Sequence, residues 1–253
     1  VALAGCALLS PAALAPPPSP SDFKDRLALR ATGLASVRAQ VRAELRGPSG
    51  RRRSAQMILA QAPDRIRIDV MSPFGPTHSL ASDGTSLAVY DRAEAVVYTG
   101  MASPANLARF TGVALEMPLL ASLLRGMPPD LSGRWPGRVG AEGRLWSWTR
   151  VLPGGGESSL LFDRDSLLVR KLRVRGDRRV PDLTVLFEDY RNAEGLRFPY
   201  HIEATVEGHG GVDLVYERVW RAVAPGDNAF KIRAGPGVGS MDMERMDAGS
   251  GLP

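Results

Sequence analysis

The chain has 253 residues, 44% of them hydrophobic and 23% charged, a composition that excludes a disordered chain and a bundle of membrane spans. No apolar run reaches the roughly 18–20 residues of a membrane-crossing helix, so membrane contact has to come from a terminus or a surface. The formal charge is +5 and the basic side chains are almost all arginine, with Lys24, Lys171 and Lys231 the lysines among 32. Nucleic-acid binding needs clustering rather than a total, and no nucleic-acid partner is expected. Arg51, Arg52 and Arg53 do cluster, but they follow Gly47-Pro48-Ser49-Gly50 and read as a hairpin tip, with attraction to anionic headgroups as the functional alternative.

Val1 to Leu9 are small and apolar, and Leu3-Ala4-Gly5 precede Cys6, as in the apolar segment and small-residue cleavage site of a secretory signal. The four residues resemble the bacterial lipobox. That resemblance implies a diacylglycerol in thioether linkage to Cys6, with residues 1–5 the remnant of the signal. The plainer alternative makes Cys6 a small buried hydrophobe. Pro11, Pro16, Pro17, Pro18 and Pro20 favour an extended chain, so residues 6–20 read as a lipidated cysteine and a stalk holding a domain away from a membrane. A single cysteine allows no internal disulfide, so the core must hold the fold.

Next in order, Ser21 reads as the N-cap of a short helix that stops near Gly33. From residue 36 to 46 the pattern has a strict period of two: Val37, Ala39, Val41, Ala43 and Leu45 alternate with Arg38, Gln40, Arg42, Glu44 and Arg46. That is a strand with one wet face. Strands are expected at 54–62, 65–71, 77–82, 87–91 and 96–99, then at 145–151, 158–163, 167–175, 182–190, 200–207 and 212–221, joined by tight turns. Eleven or so strands imply a mainly β fold, a barrel or a strongly curved antiparallel sheet. Between the two sets, Ser103 and Pro104 open one helix, carrying Leu107 and Phe110 to Gly112. A second spans about 116–125, where Leu119, Leu120, Leu123 and Leu124 form an apolar face that must cover something. From Gly226 the chain becomes irregular, and residues 239–253 read as a mobile tail after a domain at 21–238.

An ordered series of short pieces resembles the LolB-type lipoprotein receptors and, more loosely, the LolA-type carriers. It runs from Pro63-Asp64-Arg65-Ile66-Arg67-Ile68-Asp69-Val70 through Ser72-Pro73-Phe74-Gly75, Asp83-Gly84, Tyr98 and Phe110-Thr111-Gly112 to Leu123-Leu124-Arg125-Gly126-Met127-Pro128. Asp189-Tyr190-Arg191, Gly195-Leu196-Arg197-Phe198-Pro199 with Ile202, and residues 230–238 continue it. The resemblance implies an incomplete barrel closed by short helices over a hydrophobic cavity, an outer-membrane anchor facing the periplasm, and acyl chains of lipoproteins or other lipids as cargo. A LolA-like periplasmic carrier is the implied protein partner, and a monomer the default. It also implies that Pro73, Phe74 and Gly75 form a loop presenting Phe74 to a membrane; the alternative folds Phe74 back over the sheet end. Leu107, Phe110, Leu119, Leu120, Leu123 and Leu124 are the expected lid and cavity lining, although ordinary packing beneath two helices predicts the same residues. The second half and the longer C-terminus depart from the receptors, which leaves open a structural lipoprotein of an envelope assembly.

Little in the sequence supports catalysis. His78, His201 and His209 are the histidines, and neither His-x-x-x-His nor Cys-x-x-Cys spacing occurs. No Gly-x-Ser-x-Gly elbow is present. Gly154-Gly155-Gly156 lacks the Lys-Ser or Lys-Thr of a phosphate loop, and Asp163 with Asp165 reads as a turn rather than a calcium loop. No catalytic residue, metal or cofactor is expected beyond the covalent lipid on Cys6.

Overall fold

The computed structural model describes residues 17–47, 50–129, 137–152, 155–176, 182–221 and 225–246. Cys6 and the stalk as far as Pro16 lie outside the described residues. The first helix, α1 (Pro20–Gly33), starts earlier than its sequence suggests. Ser19 rather than Ser21 is the cap: its hydroxyl accepts from the Asp22 amide while the Asp22 carboxylate accepts from the Ser19 amide, and Pro20 sits where no amide donor is needed.

Six strands follow: β1 (Ser36–Gly47), β2 (Gly50–Gln61), β3 (Arg65–Ser72), β4 (Gly75–Ser82), β5 (Ser86–Asp91) and β6 (Val96–Met101). The helices α2 (Pro104–Thr111) and α3 (Met117–Leu124) interrupt them. A second run comprises β7 (Arg138–Glu142), β8 (Leu145–Val151), β9 (Glu157–Asp163), β10 (Val169–Arg175), β11 (Leu183–Ala193), β12 (Leu196–Val206) and β13 (Gly210–Arg221), and β14 (Gly239–Asp242) ends the sheet. All fourteen belong to one curved, open sheet in the order β14-β6-β5-β4-β3-β2-β1-β13-β12-β11-β10-β9-β8-β7. The expected curved, incomplete barrel is therefore what forms; among the described residues it has fourteen strands rather than about eleven, and its two edges, β14 and β7, do not meet.

β1 stands near the middle. Its period of two is realised: Val37, Ala39, Val41 and Ala43 are buried, while β13 pairs along one side and β2 along the other. Both sets of strands therefore join through contacts between residues far apart in the chain, such as Val37 with Arg221.

β7 and β14 were not expected, for a shared reason. Edge strands bury little, so Arg138–Glu142 is almost wholly exposed and Gly239–Asp242 entirely so, and neither carries an alternating apolar signal. Residues 239–246 of the expected tail therefore belong to the fold, and residues 247–253 lie outside the described residues. β14 pairs in parallel with β6, and the following turn buries Met243 completely. The Glu244 carboxylate accepts from the Met101 amide and the Asn106 side chain, which hold its pKa well below the usual carboxylate range.

Candidate ligand-binding cavity

The concave face of the sheet is covered in two ways. Over β8 and β9, α1 inserts Phe23, whose ring lies 4.5 Å from Phe162 and 6.3 Å from Trp148, centroid to centroid. Phe187, Phe198 and Leu172 are buried in the same core. Arg30 ties α1 down by donating to the Arg197 carbonyl at 2.8 Å and lying over the Tyr190 ring. Burial pushes the Tyr190 hydroxyl up to about 12, and it donates to the Val169 carbonyl.

Over the other half, α3 packs against β2 and β3 and α2 against β5. Here the side chains meet only in part, Phe110 packing on Tyr98 at 5.5 Å between ring centroids, and a cavity of about 180 Å³ remains between helices and sheet. Its walls are apolar almost throughout: Ala43, Leu45, Ile68, Val70, Leu80 and Val89 from β1 to β5, with Leu183, Ala204, Val206, Val212 and Leu214 from β11 to β13. Gln56, His78, Ser79 and Thr111 add the polar part.

The proposed lid residues divide. Leu107, Phe110, Leu120 and Leu124 line the cavity. Leu120 and Leu124 are one helical turn apart and share a face. Leu119 and Leu123 lie one residue earlier, about 100° around the helix. Leu119 faces a separate groove beside α1, and Leu123 is buried in the core without lining the cavity. The leucine stripe seen in the sequence is therefore two stripes with different neighbours.

That groove is larger, about 770 Å³, and is walled by Lys24, Asp25, Leu27, Glu116, Leu119, Arg125 and Pro128 among others. Size alone would favour it as a ligand site. Its charged side chains make it a poor home for a hydrocarbon, which charge burial disfavours, so the smaller apolar cavity is the better candidate.

The lid is fastened at its outer ends. Ser103 caps α2 by accepting from the Asn106 amide, and the Asn106 side chain donates to Met101 and Glu244. At the far end of α3, Arg125 donates to the Leu34 carbonyl at 2.9 Å and the Tyr216 hydroxyl donates to the Leu124 carbonyl at 3.1 Å. Gly126 follows at φ 68°, where an added Cβ would fall 2.8 Å from the Phe198 ring, so only glycine fits. Between the fixed ends, the connector of residues 112–116 contains the exposed Gly112, Ala114 and Glu116 and forms part of the cavity rim through Val113 and Leu115.

Phe74 is 86% exposed. The alternative that folds it back is therefore not the observed arrangement. Pro73 and Phe74 form a two-residue turn between the paired Ser72 and Gly75, and Gly75 takes φ 101°. Ser72 Oγ accepts from the Phe74 amide and donates to the Gly75 carbonyl, while Arg92 donates to the Phe74 carbonyl. The backbone is fixed and the ring stands in solvent.

Asp163 and Asp165 form the expected turn between β9 and β10, while Gly154 of the expected glycine turn lies outside the described residues. Asp163 accepts from the Ser166 amide and hydroxyl, which together with Arg170 hold its carboxyl down to about 2, and also from the Asp165 amide. Among the described residues no cluster of three or more His, Cys, Asp or Glu side chains could hold a metal ion, and no helix is long and apolar enough to cross a membrane.

No protein-family model matches the sequence, and no curated protein does either. Solved structures do. A DUF1329 family protein from Desulfovibrio piger aligns over 83% of this chain and 95% of its own, at 11% identity and a TM-score of 0.61. A LolA superfamily protein from Nitrosomonas europaea aligns over 84% and 97%, at 10% identity and 0.58. A domain from Vibrio parahaemolyticus, provisionally described as an outer membrane lipoprotein-sorting protein, aligns over 83% and 95%, at 12% and 0.57. At such identities the likeness is one of fold, an open, curved, mainly β sheet with few helices.

Proposed function

We propose that this protein is a membrane-tethered lipid handler of LolB-like type, lipidated at Cys6, that receives the acyl chain of a lipoprotein or another lipid in its cavity. The observation that carries this reading is the apolar cavity beneath Leu107, Phe110, Leu120 and Leu124, in a molecule whose other half is filled by aromatic rings. Burying hydrocarbon there gains about 0.8 kcal/mol per CH₂, so binding needs no catalytic group. At 180 Å³ the cavity lies below the roughly 300–1,000 Å³ of ordinary ligand sites, so a long chain requires the connector between α2 and α3 to swing outward.

The exposed Phe74 turn and the lipid on Cys6 would bring the domain to a membrane, and the likeness to lipoprotein-sorting folds favours the outer membrane, facing the periplasm, with a LolA-like carrier as donor. The cavity's small size favours a second reading, a structural lipoprotein of an envelope assembly whose cavity its own side chains nearly close. Mass spectrometry of lipid co-purifying with the Cys6→Ala chain separates the two. Bound acyl species support the first reading, and their consistent absence after expression in a bacterial envelope supports the second.

A further inference from the structure

The lipid-handling reading leaves the arginine cluster unexplained, and strand register divides that cluster in two. Residues directly paired in an antiparallel ladder share a face. Glu44 pairs with Arg53, and its carboxylate holds both Arg53 (2.6 Å) and Arg51 (3.7 Å), so those two belong to the convex surface. Arg52 alternates to the other face, paired with Leu45, which lines the cavity.

From core to rim, that face of β2 reads Ala60, Ile58, Gln56, Ser54, Arg52. The first two are buried, Gln56 lines the cavity and donates to Ser54, and Arg52 is exposed at the end. Val70 pairs with both Gln56 and His78, so His78 stands on the same face one strand beyond. Its Nε2 is 3.4 Å from Asp91, whose other oxygen accepts from the Ala93 and Glu94 amides. This strand face thus runs from buried hydrocarbon past the cavity-lining Gln56 to Arg52 beyond the lining, toward the end of the sheet that also bears the Phe74 turn.

We infer that the ligand is an anionic amphiphile: its acyl chain occupies the cavity and its carboxylate or phosphate head rests at the rim against Arg52, with His78 and Gln56 beside it. A guanidinium is suited to either head through paired N–H donors. The inference rests on the cavity being the tail site, and adds that the head is charged.

The test measures binding to the 253-residue Cys6→Ala chain of matched pairs differing only in head charge, dodecanoate against dodecanol and a lysophosphatidate against the monoacylglycerol of equal chain length. The anionic member of each pair should bind about tenfold more tightly. Arg52→Gln should remove that preference while leaving the neutral members unchanged, and Arg51→Gln, on the convex face, should keep it. Equal binding within both pairs, or a preference that survives Arg52→Gln or is lost equally in Arg51→Gln, overturns the proposal. A preference confined to one pair identifies the source, fatty acid or phospholipid. Inorganic phosphate alone should not displace the ligand, and displacement by it would place the anion elsewhere. Ala204→Phe, which fills the cavity, should abolish binding of every probe. If the neutral members bind regardless of Ala204→Phe, the tail-site reading fails independently of the charge preference, and if no probe binds the unsubstituted cavity, both fall.

Discussion

The two halves of the concave face solve one packing problem differently. Beneath α1, the ring of Phe23 packs against those of Phe162 and Trp148, with Phe187 buried in the same core. Beneath α2 and α3 the sheet presents Ala43, Val70, Ala204 and Val212 to a short leucine-rich cover, and these small side chains cannot reach it. Close packing is the rule in protein interiors, and a void forfeits contact energy. A fold that packs one half with aromatic rings and leaves a void between aliphatic side chains in the other has the materials to close both, which points to a use for the open half.

This contrast can be broken by substitution. Phe162→Ala, in the filled half, should cost about 3–5 kcal/mol in urea unfolding, because it opens a new cavity. Leu120→Ala, at the wall of the existing cavity and only partly buried, should cost less than the roughly 2 kcal/mol at the low end for buried leucines. Equal losses would mean the halves are packed alike. The converse substitution should also differ: Ala204→Phe should change stability by less than about 1.5 kcal/mol, whereas Leu172→Trp in the filled half should cost about 1–3 kcal/mol.

A smaller effect sits where the halves join. His201 on β12 lies between Glu188 on β11, at 3.1 Å, and Asp213 on β13, at 3.2 Å. Burial pulls its pKa down, but the hydrogen bonds and charges of Asp213 and Glu188 outweigh burial and raise it overall. A raised pKa in the folded state means that the stabilisation is complete below the unfolded value, about 6.5, and disappears as pH climbs through the folded value. The stability gap between the native chain and His201→Gln should therefore be largest near pH 6 and vanish in mildly alkaline buffer, with a size below about 1 kcal/mol, as for other partly exposed ion pairs. A pH-independent gap would show that the imidazole contributes by packing alone. Smallest of all, Phe74→Glu should leave unfolding within about 0.5 kcal/mol of the native value, while weakening association with lipid vesicles in a flotation assay. Unchanged flotation would remove Phe74 from the membrane-facing role.

Much of this contrast was legible in the sequence, though not all of it. The period of two in β1 and the leucine pairs of α3 announce an apolar interior directly. Nothing local says that Leu45 meets Val212, or that Leu183 and Ala204 share a wall with Ile68, because the β1–β13 pairing joins distant segments. The same limit hid the division of the leucines: spacing shows that Leu119 and Leu120 differ by about 100° but not which of them faces the sheet. Arg52 was visible as one of three arginines. Only the register with Leu45 separates it from its neighbours, although the alternation from Ile58 through Gln56 and Ser54 carries the signal.

Photocrosslinking with a fatty acid bearing a diazirine near its methyl end tests the contrast most directly. The account predicts adducts on α3 and on the cavity-facing strands, at Leu120, Leu124, Val212 or Leu214, with none on Phe23, Trp148 or Phe162. Adducts concentrated in the aromatic half, or in the groove of Lys24, Leu119 and Pro128, would contradict it.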